Sequence, residues 1–287
     1  MRNDGVIRVF PRRTSYTPRD EWAFVGEPPL FRPAREDVKA VHVSVAFTWD
    51  LERGQSLAEA WRQVYGDKVL MGGPALTIAD GFEPAMYVKE GVTFTTRGCP
   101  NRCPWCLVPD REGKLRELPI KEGWIVQDNN LLAAGNEHIA KVFAMLRAQK
   151  RAVDFAGGLE SARITDEIAD DLASLSIREI FLAADTKVSL RALERAVKKL
   201  AGLNRRQLLC YVLRAFDGET LDEAQERLQA VWDIGCLPFA QLYQPPDRYI
   251  HYSREWRELA RTWSRPVAMF ACHADVLLAV ANEEGRE

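Results

Sequence analysis

Three closely spaced cysteines carry the chemistry that the sequence predicts. Cys99, Cys103 and Cys106 form a C-x3-C-x2-C pattern directly after a strand-like run of residues. Thiolates are the soft ligands that iron–sulfur clusters require, and three of them can hold three irons of a 4Fe–4S cube. The fourth iron is then left open for a ligand that is not a cysteine. The pattern therefore predicts a cluster with one coordination site available for chemistry.

Three other kinds of cysteine site have to be considered when the loop is taken by itself. A structural zinc site needs four ligands, and the nearest histidines along the chain are His42 and His138. A disulfide framework is disfavoured because the loop holds an odd number of cysteines and the chain does not look secreted. A redox C-x2-C pair would use Cys103 and Cys106 and would leave Cys99 without a role.

The composition favours a globular protein of the cytoplasm. The chain has 287 residues, of which 47% are hydrophobic and 28% charged, enough for one large α/β domain or a domain with a smaller one attached. A net charge of −2 gives no sign of a large phosphate-binding surface. No apolar run is long enough to cross a bilayer, and the first residues lack the apolar core of a signal peptide. We therefore expect a cytoplasmic protein with no membrane partner, in which Cys210, Cys236 and Cys272 are buried, unreactive thiols.

Residues 1–88 are predicted to form a small α/β unit. Val6–Phe10 and Val41–Phe47 have the β-branched composition of strands. Residues 55–65 show helical periodicity, and residues 68–71 form the next strand before the turn at Gly72 and Gly73. The alternation of strand, helix and strand indicates a parallel arrangement.

Residues 89–250 show a regular alternation of strands and helices, which predicts a parallel sheet with right-handed crossovers. Six strands favour a partial, TIM-like (β/α)6 barrel over a closed eight-stranded one, so the predicted fold class is α/β. Thr165 is a predicted N-cap, and residues 251–287 read as a helical C-terminal extension. The predicted strands are 92–97, 124–128, 152–156, 179–183, 207–213 and 237–242, and the predicted helices are 137–147, 165–175, 189–200 and 219–232.

The cysteine loop, with the aromatic Trp105 before its last cysteine, resembles that of the radical S-adenosylmethionine (radical SAM) superfamily. The resemblance implies that the open iron of a 4Fe–4S cluster is chelated by S-adenosylmethionine. Reductive cleavage would then give a 5′-deoxyadenosyl radical, which abstracts hydrogen from a substrate. It also implies an oxygen-sensitive cluster and a flavodoxin- or ferredoxin-type reductant.

The carboxyl ends of parallel strands are where ligands gather, and the predicted strands end in polar residues. The resemblance implies that Asp128, Asn129 and Asn130 stand where the superfamily has acceptors for the methionine amino group. Glu160 and Arg163 resemble the Glu-x-x-Arg pattern that contacts the ribose and the methionine carboxylate. An ion pair at a helix entry is an equal alternative for these two residues.

Four further residues complete the predicted cofactor site. Gly157 and Gly158 end the third strand of the barrel, beside the polar residues that follow it. The resemblance implies that the backbone near Trp105 and the strand segment Val212-Leu213 flank the adenine of S-adenosylmethionine. The catalytic residues beyond the cofactor site are not indicated by the sequence.

The resemblance extends weakly to residues 1–88, which are similar to a degenerate cobalamin-binding Rossmann-like domain. The Asp-x-His-x-x-Gly cobalt-ligand motif is absent, so we expect a structural or substrate-shaping unit. A cobalamin-dependent radical SAM methylase and a non-catalytic iron–sulfur electron-transfer or sensor protein are the alternatives. The substrate stays open: a nucleic-acid base or nucleotide is one class, suggested by basic pairs such as Arg205-Arg206, and a peptide or small metabolite is equally compatible.

Overall fold

A computed structural model describes residues 5–76, 82 and 84–273 and contains α-helices and mostly parallel strands. Its contacts divide the chain into two compact units, residues 1–94 with 246–249 and residues 95–245 with 250–287. The strands are β1 Val6–Phe10, β2 Ala23–Val25, β3 Ala40–Ser44, β4 Val69–Gly72, β5 Val92–Thr93, β6 Thr96–Arg97, β7 Arg116–Glu117, β8 Ile125–Val126, β9 Val153–Phe155, β10 Ile177–Ala183, β11 Leu208–Arg214 and β12 Leu237–Leu242. The α-helices are α1 Leu51–Tyr65, α2 Val108–Glu112, α3 Asn136–Gln149, α4 Asp166–Ala173, α5 Lys187–Lys199, α6 Leu221–Ile234, α7 Arg254–Thr262 and α8 Pro266–Cys272.

The first unit is a four-stranded parallel sheet with α1 packed on one face. The strand order is β2-β1-β3-β4, and the register pairs Ile7 with Val41. Valines of β1 and β3 form a core with the fully buried Trp61 of α1. The indole Nε1 of Trp61 donates to the carbonyl of Gly26 over 3.0 Å, so even this buried donor is satisfied. The predicted small α/β unit is confirmed as a parallel α/β arrangement, with the helix beginning four residues earlier than predicted.

The glycine turn after β4 serves chain packing in this unit. The amide of Val45 donates to the carbonyl of Gly72 over 2.8 Å. Gly73 has φ +110°, and a Cβ there would lie 2.7 Å from the carbonyl oxygen of Val45. A glycine is needed because its neighbour's backbone approaches so closely.

The sheet of the second unit has the strand order β12-β11-β10-β9-β8. The four pairings from β8 to β12 are all parallel, and helices α3 to α6 connect these strands in chain order. Apolar residues of the helices and of one face of the sheet form the main core, including Phe143, Leu172 and Leu228. The α/β class with a parallel sheet is confirmed, and the described strands do not close into a barrel.

The predicted strand over residues 92–97 is wrong in its continuity. The structure has two short strands there, β5 and β6, and β6 pairs with β7 in an antiparallel ladder. Between them, the N–H of Thr95 donates to the side chain of Asp128. The carbonyl of Thr95 accepts the N–H of Leu118 over 2.8 Å and lies 2.9 Å from Nε2 of His138. Because the N–H of Thr95 bonds to a side chain, it is removed from the strand ladder, and the chain turns instead of continuing as one strand.

The C-terminal extension is helical over the described residues, in α7 and α8, while residues 274–287 lie outside the described part. Trp263 is buried, and its Nε1 donates to Gln225 over 2.9 Å.

Cys210 and Cys236 are buried as expected, and burial raises the pKa of the Cys236 thiol to about 12. The prediction of a buried Cys272 is wrong, because this cysteine ends α8 on the surface. Among the described residues, no helix has the length and apolar character needed to cross a membrane.

A buried ion network joins the end of β11 to the start of α6. Arg214 is fully buried, and its Nη1 donates to Oε1 of Glu219 over 2.7 Å. Glu219 also accepts from Arg227 and, over 2.8 Å, from the backbone N–H of Ala215. Burial, together with the nearby charge of Arg227, lowers the pKa of Arg214 to about 10, while Glu219 and Asp185 oppose the shift. Glu219 is the carboxylate that is hydrogen-bonded to this buried guanidinium.

Removing that carboxylate should destabilise the second unit strongly. We expect Glu219→Ala to lower the free energy of unfolding by about 3–5 kcal/mol, because it leaves a buried guanidinium without its counter-ion. Urea denaturation followed by tryptophan fluorescence measures the change. The matched control is Glu194→Ala, which removes an exposed pair with Lys198 on α5 and should cost less than about 1 kcal/mol. Equal losses for the two variants would contradict the assigned role of Glu219.

Candidate functional site

The cysteine loop is anchored at its start by two hydrogen bonds from backbone N–H groups. Gly98 has φ +81°, and its N–H donates to Oδ1 of Asn129 over 3.0 Å. The N–H of Cys99 donates to the carbonyl of Gly113 over 3.4 Å. A Cβ at position 98 would lie 2.3 Å from the carbonyl oxygen of Lys114, so a glycine is required where the loop leaves β6. The loop is thereby held against the carboxyl end of β8.

The three loop thiols lie within electrostatic reach of one another. All three cysteines are half-buried, and the N–H of Cys106 donates to the carbonyl of Cys103 over 3.0 Å in a tight turn. Burial raises the pKa of the Cys103 thiol, and negative charge on Cys106 and Cys99 raises it further. Burial likewise raises the pKa of Cys106, with Cys99 and Asp185 adding to the effect. Three thiolates here need a compensating positive charge.

Within residues 5–76, 82 and 84–273, no group of three His, Cys, Asp or Glu side chains has the arrangement of a metal site. The donor set nevertheless suits an iron cluster, because soft thiols are the ligands that such clusters take. The loop supplies three of them within eight residues, 99–106, and a nearby buried amide oxygen, Oδ1 of Asn130, has no protein partner. These residues fit the predicted cluster by their chemistry.

Asp128 is bound by the strand that leads into the loop. Its carboxylate accepts the N–H of Thr95 over 2.6 Å, the N–H of Thr96 over 3.0 Å and the hydroxyl of Thr95. Burial raises the pKa of Asp128, while these hydrogen bonds oppose the shift. Its oxygen atoms are therefore engaged in fixing the backbone before the cysteines.

Asn129 and Asn130 differ in whether their side-chain oxygen atoms have a hydrogen-bond partner. The side-chain oxygen of Asn129 accepts from Gly98. Nδ2 of Asn130 donates to Oε2 of Glu160 over 2.7 Å and lies 3.5 Å from Sγ of Cys99. Its Oδ1 is buried without a hydrogen-bond partner. Asn130 thus links the cysteine loop to Glu160 and keeps one acceptor unused.

Glu160 and Arg163 form the predicted ion pair. Nε of Arg163 donates to Oε2 of Glu160 over 2.8 Å, across the short 3-10 turn Ser161–Arg163. Burial of Glu160 alone would raise its pKa, but hydrogen bonds from Asn130 and Arg163 outweigh it and lower the pKa. The side chain of Arg163 is 42% exposed, so its remaining guanidinium donors face solvent. Glu160 is charged and held in place from two sides.

Gly157 and Gly158 have separate roles in the turn after β9. The N–H of Gly157 donates to the carbonyl of Val126 over 3.0 Å, and a Cβ there would lie 2.2 Å from the backbone oxygen of Asp128. Gly158 has φ +95°, and its Cβ position lies 3.9 Å from the ring of Tyr211. The first glycine permits close packing of two strand ends, and the second leaves space over an aromatic ring.

Trp105 and Val212 lie in different surroundings. The ring of Trp105 packs edge-on against Phe216 at a centroid distance of 5.5 Å, and Phe216 packs in the same way against Tyr243 at 4.9 Å. Val212 is fully buried in the core on the helix side of β11. Its side chain therefore does not line the site, and the strand presents the half-exposed Leu213 on its other face.

Asp185 is absent from the predicted cofactor-binding residues, although it is one of the polar residues that end the predicted strands. It follows β10, accepts the N–H of Leu213 over 2.8 Å and acts electrostatically on Cys103 and Cys106. Burial raises the pKa of Asp185, partly offset by that hydrogen bond and by Arg227. Its position at the carboxyl end of a strand was the available signal for it.

Comparisons with known proteins return no match, either to a protein-family model or to a curated protein.

The approach of Gly157 to Asp128 gives a direct test of the site's architecture. We expect Gly157→Ala to lower the free energy of unfolding by about 1–3 kcal/mol, because the new methyl group overlaps backbone that cannot move freely. Gly202→Ala is the matched control, since a Cβ there meets nothing within 4 Å. Chemical denaturation measures both variants, and a Gly157→Ala protein as stable as the Gly202→Ala protein would contradict the packing described.

Proposed function

We propose that the chain is a radical SAM enzyme, which cleaves S-adenosylmethionine reductively at a 4Fe–4S cluster. The observation that carries the proposal is the loop of Cys99, Cys103 and Cys106, three soft thiols close to one another beside the carboxyl end of a parallel strand. A zinc site would need a fourth ligand. An open-iron cluster needs three protein ligands and a small-molecule chelator.

The three cysteines would hold the cluster, and the positive charge of its irons would relieve the repulsion between neighbouring thiolates. When bound, the cluster supplies one electron to the sulfonium of S-adenosylmethionine. The protein's part is to bind, orient and shield the reactants. Asp128 contributes by fixing the backbone of Thr95 and Thr96 before the loop.

Asn130 is the residue that we assign to the methionine amino group. Its Oδ1 is buried, unpartnered and attached to a side chain that Glu160 and Cys99 hold in place. An ammonium group is a strong donor for such an oxygen, and a charge-assisted bond there would satisfy it. The neighbouring carboxylate of Glu160 adds attraction for the same positive charge.

Arg163 suits the methionine carboxylate. Its Nε is engaged by Glu160, while the other guanidinium nitrogens are free to form the paired bonds that arginine makes with carboxylates. Trp105 belongs to the loop and packs against Phe216, and we assign these two rings to the adenine side.

The proposal also covers the barrel fold, the cell compartment and the electron donor. The parallel strands β8 to β12 with their connecting helices agree with a partial (β/α)6 barrel, in which the cofactors lie at the carboxyl edge. The cell compartment that suits a low-potential, oxygen-sensitive cluster is a reducing cytoplasm, and a flavodoxin- or ferredoxin-type protein is the expected electron donor.

Anaerobic reconstitution tests the proposed function. We expect the full-length protein to bind about four irons and, with dithionite and S-adenosylmethionine, to release 5′-deoxyadenosine. Cys103→Ala should lose both the cluster and the product, because a thiolate ligand is removed. Chromatographic detection of 5′-deoxyadenosine and iron analysis give the two readouts.

The matched control is Cys272→Ala, which removes an exposed thiol outside the loop and should retain iron and activity. Iron loading that depends on the loop cysteines but yields no 5′-deoxyadenosine would contradict the enzyme proposal and favour an electron-transfer or sensor protein. Equal iron loss from Cys103→Ala and Cys272→Ala would contradict the cluster assignment.

The assignment of Asn130 gives a second prediction. Asn130→Ala should weaken S-adenosylmethionine binding by about tenfold while the iron content stays near that of the parent, because a charged-group hydrogen bond is lost and every thiol ligand remains. Asn136→Ala, at the exposed start of α3, is the control. Calorimetric titration of the reconstituted proteins measures the affinity, and unchanged binding in Asn130→Ala would refute the assignment.

A further inference from the structure

The carboxyl edge of the first sheet carries residues that the proposed function does not use. In the strand order β2-β1-β3-β4, the chain passes from β1 to β2 on one side and then returns to β3 on the other. The topological switch point therefore lies between β1 and β3, and ligands of open parallel sheets bind outside the carboxyl ends of the strands at such a point. The segments found there are residues 11–13, which follow β1, and residues 45–53, which follow β3 and lead into α1.

Two hydrogen bonds hold these segments together. The guanidinium group of Arg12 donates to the buried carboxylate of Asp50. Nε of Arg53 donates to the carbonyl of Pro11 over 3.0 Å. Because each bond occupies only one nitrogen, the other donors of both guanidinium groups stay available at the same edge.

The exposed charge at this edge is mostly positive. The side chain of Arg12 is 54% exposed, and Arg13 and Arg53 are exposed as well. In the described part of the chain, no hydrogen bond or ion pair engages the side chain of Arg13. Glu52 is the exposed carboxylate among them, since that of Asp50 is buried. Guanidinium groups bind phosphate through paired N–H donors, so the edge suits a ligand that carries phosphates.

An exposed aromatic ring lies beside the arginines. Trp49 directly precedes Asp50 in the 3-10 turn Thr48–Asp50, and it stacks on Phe47 at a centroid distance of 4.8 Å and an interplanar angle of 8°. Trp49 is nevertheless 48% exposed. Because Phe47 covers one face of the indole, the exposed part includes the opposite face. A stacked pair with an exposed outer ring can take a further planar ring on the surface, without an enclosed cavity.

We propose that this edge of the first unit binds single-stranded nucleic acid. One base stacks on the outer face of Trp49, and the neighbouring phosphates contact Arg12, Arg13 and Arg53. Aromatic rings beside cationic side chains are the means by which proteins hold single strands without reading their sequence. The inference goes beyond the proposed function and does not depend on it, because all of these residues lie in the first unit.

Fluorescence anisotropy with the full-length protein tests the proposal. The probe is a labelled oligothymidylate of about eight nucleotides, and the comparison probe is an abasic chain with the same phosphates. We expect the oligothymidylate to bind at least about tenfold more tightly than the abasic chain, because base stacking adds to the phosphate contacts. The same strand paired with oligoadenylate should also bind more weakly, because its bases are stacked inside a duplex.

Substitutions of Trp49 test the stacking contact. Trp49→Leu should weaken oligothymidylate binding by about tenfold, to near the level of the abasic chain, whereas Trp49→Phe keeps an aromatic ring and should retain most of the affinity. Phe31→Leu is the matched control, because it removes a ring that is 89% exposed elsewhere in the first unit. Its binding should equal that of the parent.

Arg13→Gln tests the phosphate contacts. We expect weaker binding at low salt and a plot of log K against log salt concentration whose slope is less steep by about 0.7, the change for one phosphate contact on a single strand. The control is Arg35→Gln, an exposed arginine that precedes β3 at the opposite end of the strands. This control should leave the slope unchanged.

Four results would overturn the proposal: no binding at low salt, equal binding of the oligothymidylate and the abasic chain, equal affinities of the Trp49→Leu and Phe31→Leu proteins, or equal slopes for Arg13→Gln and Arg35→Gln. The formation of 5′-deoxyadenosine is measured separately. Its absence would remove the proposed function and leave the nucleic-acid surface, and a failure of oligonucleotide binding would leave the proposed function.

Discussion

A single buried carboxylate determines where the cysteine loop begins. Asp128 accepts three hydrogen bonds from Thr95 and Thr96, and this capture ends one strand and starts another. Those donors offset the unfavourable free energy of burying the carboxylate, which would be large without hydrogen bonds. Gly157 then allows the turn after β9 to approach the backbone of the same aspartate. The loop, the end of β8 and the end of β9 are thereby brought to one edge of the sheet.

The second constraint is electrostatic. The three thiols share this edge with Glu160 and Asp185, and burial together with mutual negative charge raises the pKa of Cys103. Arg163 is bound to Glu160, so it offsets part of that charge. The ammonium group of an amino acid is a ligand that such an edge attracts.

Much of the fold could be predicted from periodicity, because β9 to β12 are short apolar runs separated by amphipathic helices. Thr165 as an N-cap is confirmed by its bond from the N–H of Ile168. The break at Thr95 could not be predicted, since it depends on a carboxylate 33 residues away. Which of the adjacent residues Val212 and Leu213 faces the core could not be predicted either, because a shift of one residue moves every side chain of a strand to the opposite face. Likewise, Asn129 and Asn130 are equivalent in sequence and differ only in their partners.

The most direct measurement is electron–nuclear double resonance of the reduced, reconstituted protein with isotopically labelled S-adenosylmethionine. Chelation at an open iron predicts hyperfine coupling from the methionine amino nitrogen, labelled with nitrogen-15, and from the carboxylate oxygen, labelled with oxygen-17. Asn130→Ala should perturb the nitrogen coupling. A reduced cluster whose signal and couplings are unchanged by S-adenosylmethionine would contradict the central claim that the three cysteines leave an iron for this cofactor.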